Sequence, residues 1–264
     1  MRYILRSSYG SRHCDVEPWH GSWTDPPFST SDLRRVRKIY PHLASIAGHR
    51  VTGYVDLQEQ GTDFRYFTFL RDPISLCASR FQYQLDHRKK KHLDFEEWIQ
   101  KDWVRNAQTQ RIAGTPNAND AISVIDEKGM FVGLTECFDE SMVLLRALRI
   151  PDLDIGYARV NVAKSSDLAS ELLSNVAIRQ MIVDVNRADL ELYDYVRQEL
   201  YPNLQREYGP SLDDAVAECR TASRKAFNKR NLVLYGLKQR AVHKPVLHLY
   251  RGKRSGRVVE ALLR

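Results

Sequence analysis

The chain has 264 residues and contains no apolar run approaching the ~20 needed for a membrane-crossing helix. Its opening, MRYILRSSYGSRHC, has neither the apolar core nor the small-residue cleavage site of a secretory leader. Cysteine is sparse. Cys14, Cys77, Cys137 and Cys219 are widely spaced, with no C-x-x-C pair and no metal-ligand spacing to a histidine. This argues against a disulfide framework or a zinc module and fits free thiols in a reducing compartment. No G-x-x-x-x-G-K-[ST] phosphate loop is present. The late Gly252-Lys-Arg-Ser-Gly256 lies in a basic tail, without a strand–loop–helix context. Internal repeats and low-complexity segments are also lacking.

Acidic residues almost vanish from the C-terminal end. From Arg220 onward there are 13 Lys and Arg against one acid, Glu260, which leaves 27 basic and 32 acidic residues in 1–219. The body is therefore mildly acidic and the tail strongly basic, a distribution suited to a polyanion partner. The tail lacks regularly interleaved aromatics and any recognisable nucleic-acid module, so a specific nucleic-acid partner is not expected. Apolar content of 43% and charged content of 28% fit a soluble globular protein, and the length suits one large α/β domain.

The pattern along the chain alternates strands and helices, which predicts a parallel sheet covered by helices on both faces. Residues 1–10 read as a helix ended by Gly10, 11–32 as a long loop, and 33–40 as a helix capped by Ser31 or Asp32. Strands are expected at 50–57, 66–70 and 130–134. Helices are expected at 74–85, 93–104, 135–149, 167–182 and 187–207, with a loop over 151–166. A basic helix is expected at 215–228, followed by short strands or helical pieces to 250.

The segment Tyr66-Phe-Thr-Phe-Leu-Arg71-Asp72-Pro73-Ile-Ser-Leu-Cys-Ala-Ser79-Arg80 carries the most information. Four apolar or aromatic residues in a short run favour a covered strand. Asp72 is placed to cap the next helix, with Pro73 at its first position. Arg71 then stands at the carboxyl end of the strand, where open α/β sheets bind ligands. Ser79, two helical turns beyond Asp72, can face the same crevice. A guanidinium fork and a hydroxyl so placed make a phosphate site.

This segment resembles the 3′-phosphate-binding motif of sulfotransferases that use 3′-phosphoadenosine 5′-phosphosulfate (PAPS), in particular the uronosyl 2-O-sulfotransferase type and its bacterial relatives. Arg71 and Ser79 have the motif's spacing, while Leu76 stands where many members carry a second Arg. Further segments follow in the family's order. Asn106-Ala-Gln-Thr-Gln-Arg-Ile-Ala-Gly114 resembles its N-x-Q-T-R-x-L-x-G segment. Met130-Phe-Val-Gly-Leu-Thr-Glu136 with Phe138-Asp-Glu-Ser141 resembles its late strand and helix. Asn186, Asp189, Leu192 and Tyr193 resemble its terminal helix. The resemblance covers roughly residues 1–208 and implies a P-loop-NTPase-like parallel sheet flanked by helices. Residues 209–264 would then be a basic extension. The family's opening H-x-P-K-[TC]-G-G-T-[ST] loop, which cradles the 5′-phosphosulfate, has no counterpart. Residues 1–8 resemble the helix that follows that loop. The expectation is either a start downstream of the chain's own loop or a catalytically dead product without it.

The resemblance implies PAPS as co-substrate, no metal, and a carbohydrate or other hydroxyl acceptor. Sulfuryl transfer needs a base near neutral pH, a task suited to histidine. His49, in Gly48-His49, corresponds to the catalytic His of the uronosyl enzymes, with His20 and His42 as rivals. Lys164 and Ser165 fall in the loop that closes over the nucleotide. His20 and Arg111 are candidates for the acceptor channel, and Arg88, Lys89, Lys90 and Lys91 for an anionic saccharide. The implied location is cytoplasmic for a bacterial protein and Golgi membrane-associated for a eukaryotic one with an N-terminal anchor. Two other readings remain: a non-catalytic relative that keeps the 3′-phosphate half-site, and a polyanion-binding protein led by the tail.

Overall fold

A computed structural model describes residues 1–16, 26–58, 62–88, 93–156, 167–223 and 228–246. In chain order the elements begin with α1 (Arg2–Tyr9), β1 (His13–Asp15), α2 (Thr30–Ile39), β2 (Ser45–Ala47), β3 (Phe67–Leu70) and α3 (Pro73–Arg88). Next come α4 (Phe95–Ile99), α5 (Ala107–Ala113), α6 (Ala118–Glu127), β4 (Phe131–Leu134), α7 (Phe138–Leu148) and α8 (Asp167–Ser174). The remainder is α9 (Val176–Val185), α10 (Arg187–Tyr195), α11 (Tyr201–Tyr208), α12 (Leu212–Ser223) and α13 (Lys229–Lys238). π-helical turns at Val196–Leu200 and Gln239–His243 continue α10 and α13.

The architecture is α/β, with parallel strands flanked by helices. Among the described residues the strands form two pairs rather than the single sheet expected: β1 with β2 and β3 with β4, both parallel. The chain divides into two units. The first comprises Met1–Phe64, Ile150–Ala158 and Ala217–Arg264, and the second Arg65–Arg149 and Arg159–Val216. The units therefore do not divide at 208/209, where the sequence suggested a separate extension.

The reason lies in the first unit. Asn231 on α13 donates through Nδ2 to the carbonyls of Ser7 (2.8 Å) and Ser8 (2.9 Å). Helix ends leave such carbonyls unpaired, so α13 supplies what α1 lacks. Gly10 ends α1 at φ 54°, and a Cβ there would stand 3.1 Å from the Asn231 carbonyl oxygen. Both the backbone angle and the space require glycine. β1 replaces part of the loop expected over 11–32. It buries all three of its residues, His13, Cys14 and Asp15, and the polar two are hydrogen bonded internally. The capping residue of α2 is Ser29 rather than Ser31 or Asp32. Asp32 completes the reciprocal box by accepting from the Ser29 N–H at 3.0 Å. The strand expected at 50–57 is turns and irregular chain, and pairing occurs at Ser45–Ala47 instead. The core of this unit gathers Cys14, Val16, Phe28, Leu33, Val36, Ile39, Tyr40 and Leu57.

His243 is fully buried in this unit. Its Nδ1 lies 2.5 Å from the Tyr40 hydroxyl, and the Gln239 amide donates to Tyr40 Oη at 3.0 Å.

In the second unit, β3 lies against β4 with Phe69 opposite Gly133. A Cβ on Gly133 would meet the Phe69 ring at 2.7 Å and Ser141 Cβ at 2.9 Å. The glycine of the Val-Gly-Leu-Thr-Glu segment thus makes room for an aromatic neighbour. Ser141 on α7 holds the end of β4. Its Oγ accepts from the Leu134 N–H at 3.0 Å and donates to the Leu134 carbonyl at 3.1 Å. A helical layer packs a second core of Cys77, Phe81, Phe95, Trp98, Ile99, Val104, Leu172, Ile182 and Val185. The helix expected over 93–104 is confined to Phe95–Ile99. The helix expected over 187–207 is interrupted by the π-turn at Val196–Leu200. Pro202 follows at once, and its missing N–H leaves the ladder one bond short.

Gly133→Ala is expected to destabilise the protein by about 1–3 kcal/mol through overpacking, read as a lower denaturant midpoint. Burial first, and Lys238 after it, lower the His243 pKa to about 4, with Asp15 opposing. A histidine depressed on folding adds stability above its unfolded pKa of about 6.5, and that stability is lost as pH falls toward the folded value. Stability should therefore drop between pH 6.5 and 4. His243→Gln should flatten the drop in chemical denaturation at pH 7 and pH 5.

Candidate functional site

The best-built polar site lies in the second unit, at the carboxyl end of β3. Asp72 caps α3 as expected, with Oδ1 accepting from the Ser75 N–H at 2.7 Å. Pro73 takes the first helical position. This cap turns the chain so that Arg71 and Ser79 meet. Arg71 Nη1 donates to Ser79 Oγ at 3.2 Å. Both side chains are half-buried. Among the described residues this is the guanidinium's only hydrogen bond. Its remaining N–H groups and the Ser79 O–H are therefore available to an anion.

The Arg71 backbone is clamped from α5. Gln108 Oε1 accepts from the Arg71 N–H at 2.9 Å, and Gln108 Nε2 donates to the Arg71 carbonyl at 2.9 Å. One side-chain amide thus does what a neighbouring strand residue would do. The next peptide is held from the turn after β4, where Glu136 Oε1 accepts from the Asp72 N–H at 2.8 Å. The Tyr193 phenol lies near the Glu136 carboxylate. Burial, with Glu136 and Asp72 nearby, pushes the Tyr193 phenol up to about 12, so it remains a neutral donor.

The anchor beneath is Asp189 on α10, which is 2% exposed. Its carboxylate accepts from the N–H of Gln108 (3.0 Å), the N–H of Thr109 (2.7 Å) and Thr109 Oγ1 (2.6 Å). These are donors at the start of α5, where helix ends favour a negative charge. Burial raises the Asp189 pKa, and the Thr109 and Gln108 bonds and the charge of Arg80 work against that rise. Asn106 completes the lock in a left-handed conformation, φ 42°. It accepts from the Asp189 N–H (3.2 Å), while its own N–H donates to Asn186 Oδ1 (3.1 Å). Segments far apart in sequence therefore close one network around Arg71.

The other candidates lie elsewhere or outside the described residues. His49 belongs to the first unit, exposed in the turn after β2, where the Val51 N–H donates to the Gly48 carbonyl at 3.2 Å. His42 is exposed just after α2. Arg111 is half-buried in the last turn of α5, in the second unit. His20, Lys164 and Ser165, and Lys89 to Lys91 in the basic run, lie outside the described residues. Gln108, Glu136, Asp189 and Tyr193 stood in the sequence only as parts of motif-like segments. Asp189 had a usable signal, an acid between Val185 and Leu192 on the apolar face of a helix. Among the described residues no cluster of His, Cys, Asp or Glu could hold a metal, and no helix is long and apolar enough to cross a membrane.

Compared with protein-family models, curated proteins and solved structures, the chain has no match.

Asp189→Ala should cost about 1–3 kcal/mol, because it strands buried donors at the start of α5. Asp189→Asn should cost less, since one amide oxygen still accepts. Urea melts of the two variants check the order.

Proposed function

We propose that this chain is a PAPS-dependent sulfotransferase whose second unit binds the 3′-phosphate of the nucleotide through Arg71 and Ser79, on a P-loop-NTPase-like frame. The observation that carries the reading is the unspent Arg71 guanidinium beside the Ser79 hydroxyl. The pair sits at the carboxyl end of a parallel strand, and the Arg backbone is fixed by Gln108 and Glu136. A preorganised fork and hydroxyl suit a phosphate monoester, because little side-chain freedom is lost on binding. The convergence of Asn106, Gln108, Glu136, Asp189 and Tyr193 on the same place favours a sulfotransferase-like frame over an unrelated strand–helix turn.

PAPS, when bound, supplies the activated sulfuryl group. The acceptor hydroxyl oxygen forms the new bond to sulfur, the bond from sulfur to the 5′-phosphate oxygen breaks, and the hydroxyl proton passes to a base. His49 is the residue proposed for that proton, exposed at the end of β2. The acceptor is a carbohydrate or similar hydroxyl compound, and Arg111 is proposed to face it.

Calorimetric titration with adenosine 3′,5′-bisphosphate (PAP), with AMP as the control lacking the 3′-phosphate, tests the site. PAP should bind in preference to AMP. Arg71→Ala should weaken PAP by about 10–100-fold, the equivalent of one or two charge-assisted hydrogen bonds. Unchanged PAP affinity in that variant would remove the assignment. His49→Ala should leave PAP affinity unchanged and abolish transfer wherever the wild type turns over.

A further inference from the structure

The first unit contains an open cleft of about 450 Å³ that the sulfotransferase reading does not use. Arg2, Arg6, Arg240 and Lys244 line it, with Asp15 and Tyr235 at its floor. Four cations thus face one carboxylate in a space large enough for a small ligand. The arrangement is constructed rather than incidental. Asp15 is 3% exposed and is fully engaged. Its Oδ2 accepts from Arg6 Nε (2.9 Å), Arg6 Nη2 (2.6 Å) and the Tyr235 hydroxyl, and its Oδ1 lies 3.2 Å from His13 Nε2. His13 is in turn fixed by Ser45, with Nδ1 2.8 Å from Ser45 Oγ.

The consequence is a held Arg6. Its guanidinium is gripped on one edge by Asp15 and lies 4.8 Å from the Tyr235 ring centroid. Burial acts to raise the Asp15 pKa, but the bonds from His13 and Tyr235 and the charge of Arg6 outweigh it. The carboxyl is held well below the ordinary range. Asp15 therefore stays an anion whose charge is spent on positioning.

The rest of the lining comes from α13, the π-turn that follows and Lys244. Arg240 and Lys244 stand four positions apart, so a helical turn brings both to the cleft. Both are exposed, and neither has a carboxylate partner among the described residues. Like charges so placed repel each other, and the one acid of the cleft, Asp15, is already engaged by Arg6, so an anion would reduce that cost.

We infer that this cleft binds a multiply charged tetrahedral oxyanion, a phosphate or sulfate ester, among Arg2, Arg6, Arg240 and Lys244. The inference stands on the first unit alone and does not rest on the Arg71 site. It also gives two cations of the basic C-terminal region, Arg240 and Lys244, a defined place in a binding site.

The test is calorimetry on the full 264-residue chain carrying Arg71→Ala, which removes the other phosphate candidate. Inorganic pyrophosphate and sucrose octasulfate are titrated separately in 150 mM salt. Saturable one-site binding of either is expected, weakened at least about 10-fold by Arg240→Ala/Lys244→Ala, a loss near 1.4 kcal/mol. Lys244→Glu should weaken it further. Both positions are exposed, so the variants should keep the fold, which circular dichroism checks. Binding of pyrophosphate alone assigns the ligand to the phosphate esters, and of the sulfated sugar alone to the sulfate esters. Saturation by neither probe, or equal affinity with and without Arg240 and Lys244, overturns the inference. PAP titration of the Arg240→Ala/Lys244→Ala chain with Arg71 intact reports the nucleotide site separately, so each reading can fail alone.

Discussion

The buried carboxylate of Asp189 is the constraint on which the rest of the second unit depends. It sits at the start of α5 and satisfies backbone donors that a helix leaves unpaired. That cap fixes where α5 begins. The start of α5 fixes where the Gln108 amide points, and Gln108 fixes the Arg71 peptide. The chain of cause runs from an acid on α10, through a helix end, to the tip of β3. Each link is short and directional, so an error at Asp189 would travel to the guanidinium. Burial makes the anchor expensive to ionise, and the donors gathered around it are what make the charge tolerable.

Both units use the same division of labour. In the second, backbone groups of Arg71 and Asp72 are held by Gln108 and Glu136, while the guanidinium makes a single bond to Ser79. In the first, Asp15 holds Arg6, while Arg240 and Lys244 are exposed. A site for an anion needs donors that are placed but not yet satisfied. Packing and capping supply the placement, and the lack of a local acid leaves the capacity.

The legible parts of the sequence were those where pattern and local chemistry agree. Phe67–Leu70 is a run of strand formers, and Asp72-Pro73 is a helix start by composition, so β3, α3 and the Arg71–Ser79 pair could be placed from the letters alone. The end of α1 at Gly10 was readable for the same reason. β1 was not, because its His-Cys-Asp is polar and buried. Its stability comes from Arg6, Ser45 and Tyr235, contacts that no local window contains. A strand was expected at 50–57 after Gly48-His49, but the pairing partner of β1 is Ser45–Ala47. The roles of Gln108 and Glu136 were hidden because each acts on another segment's backbone, which leaves no trace in periodicity. The separation of the C-terminal region at 208/209 rested on charge, whereas Asn231 ties it to α1 by hydrogen bonds.

The first unit is assembled from both ends of the chain, with the second unit inserted between its pieces. The bond from Asn231 to Ser7 spans 224 positions. Closing so long a loop adds entropy cost only logarithmically, so the native state tolerates it, but non-local pairing slows the search. On a ribosome the timing is stricter. Every residue of the second unit has been made before α13 exists, and α1 must wait with its C-terminal carbonyls unpaired until α13 emerges. Helix α1 is therefore made well before its partner and is among the last segments to be completed, which makes early α1 a natural client for whatever shields nascent chains.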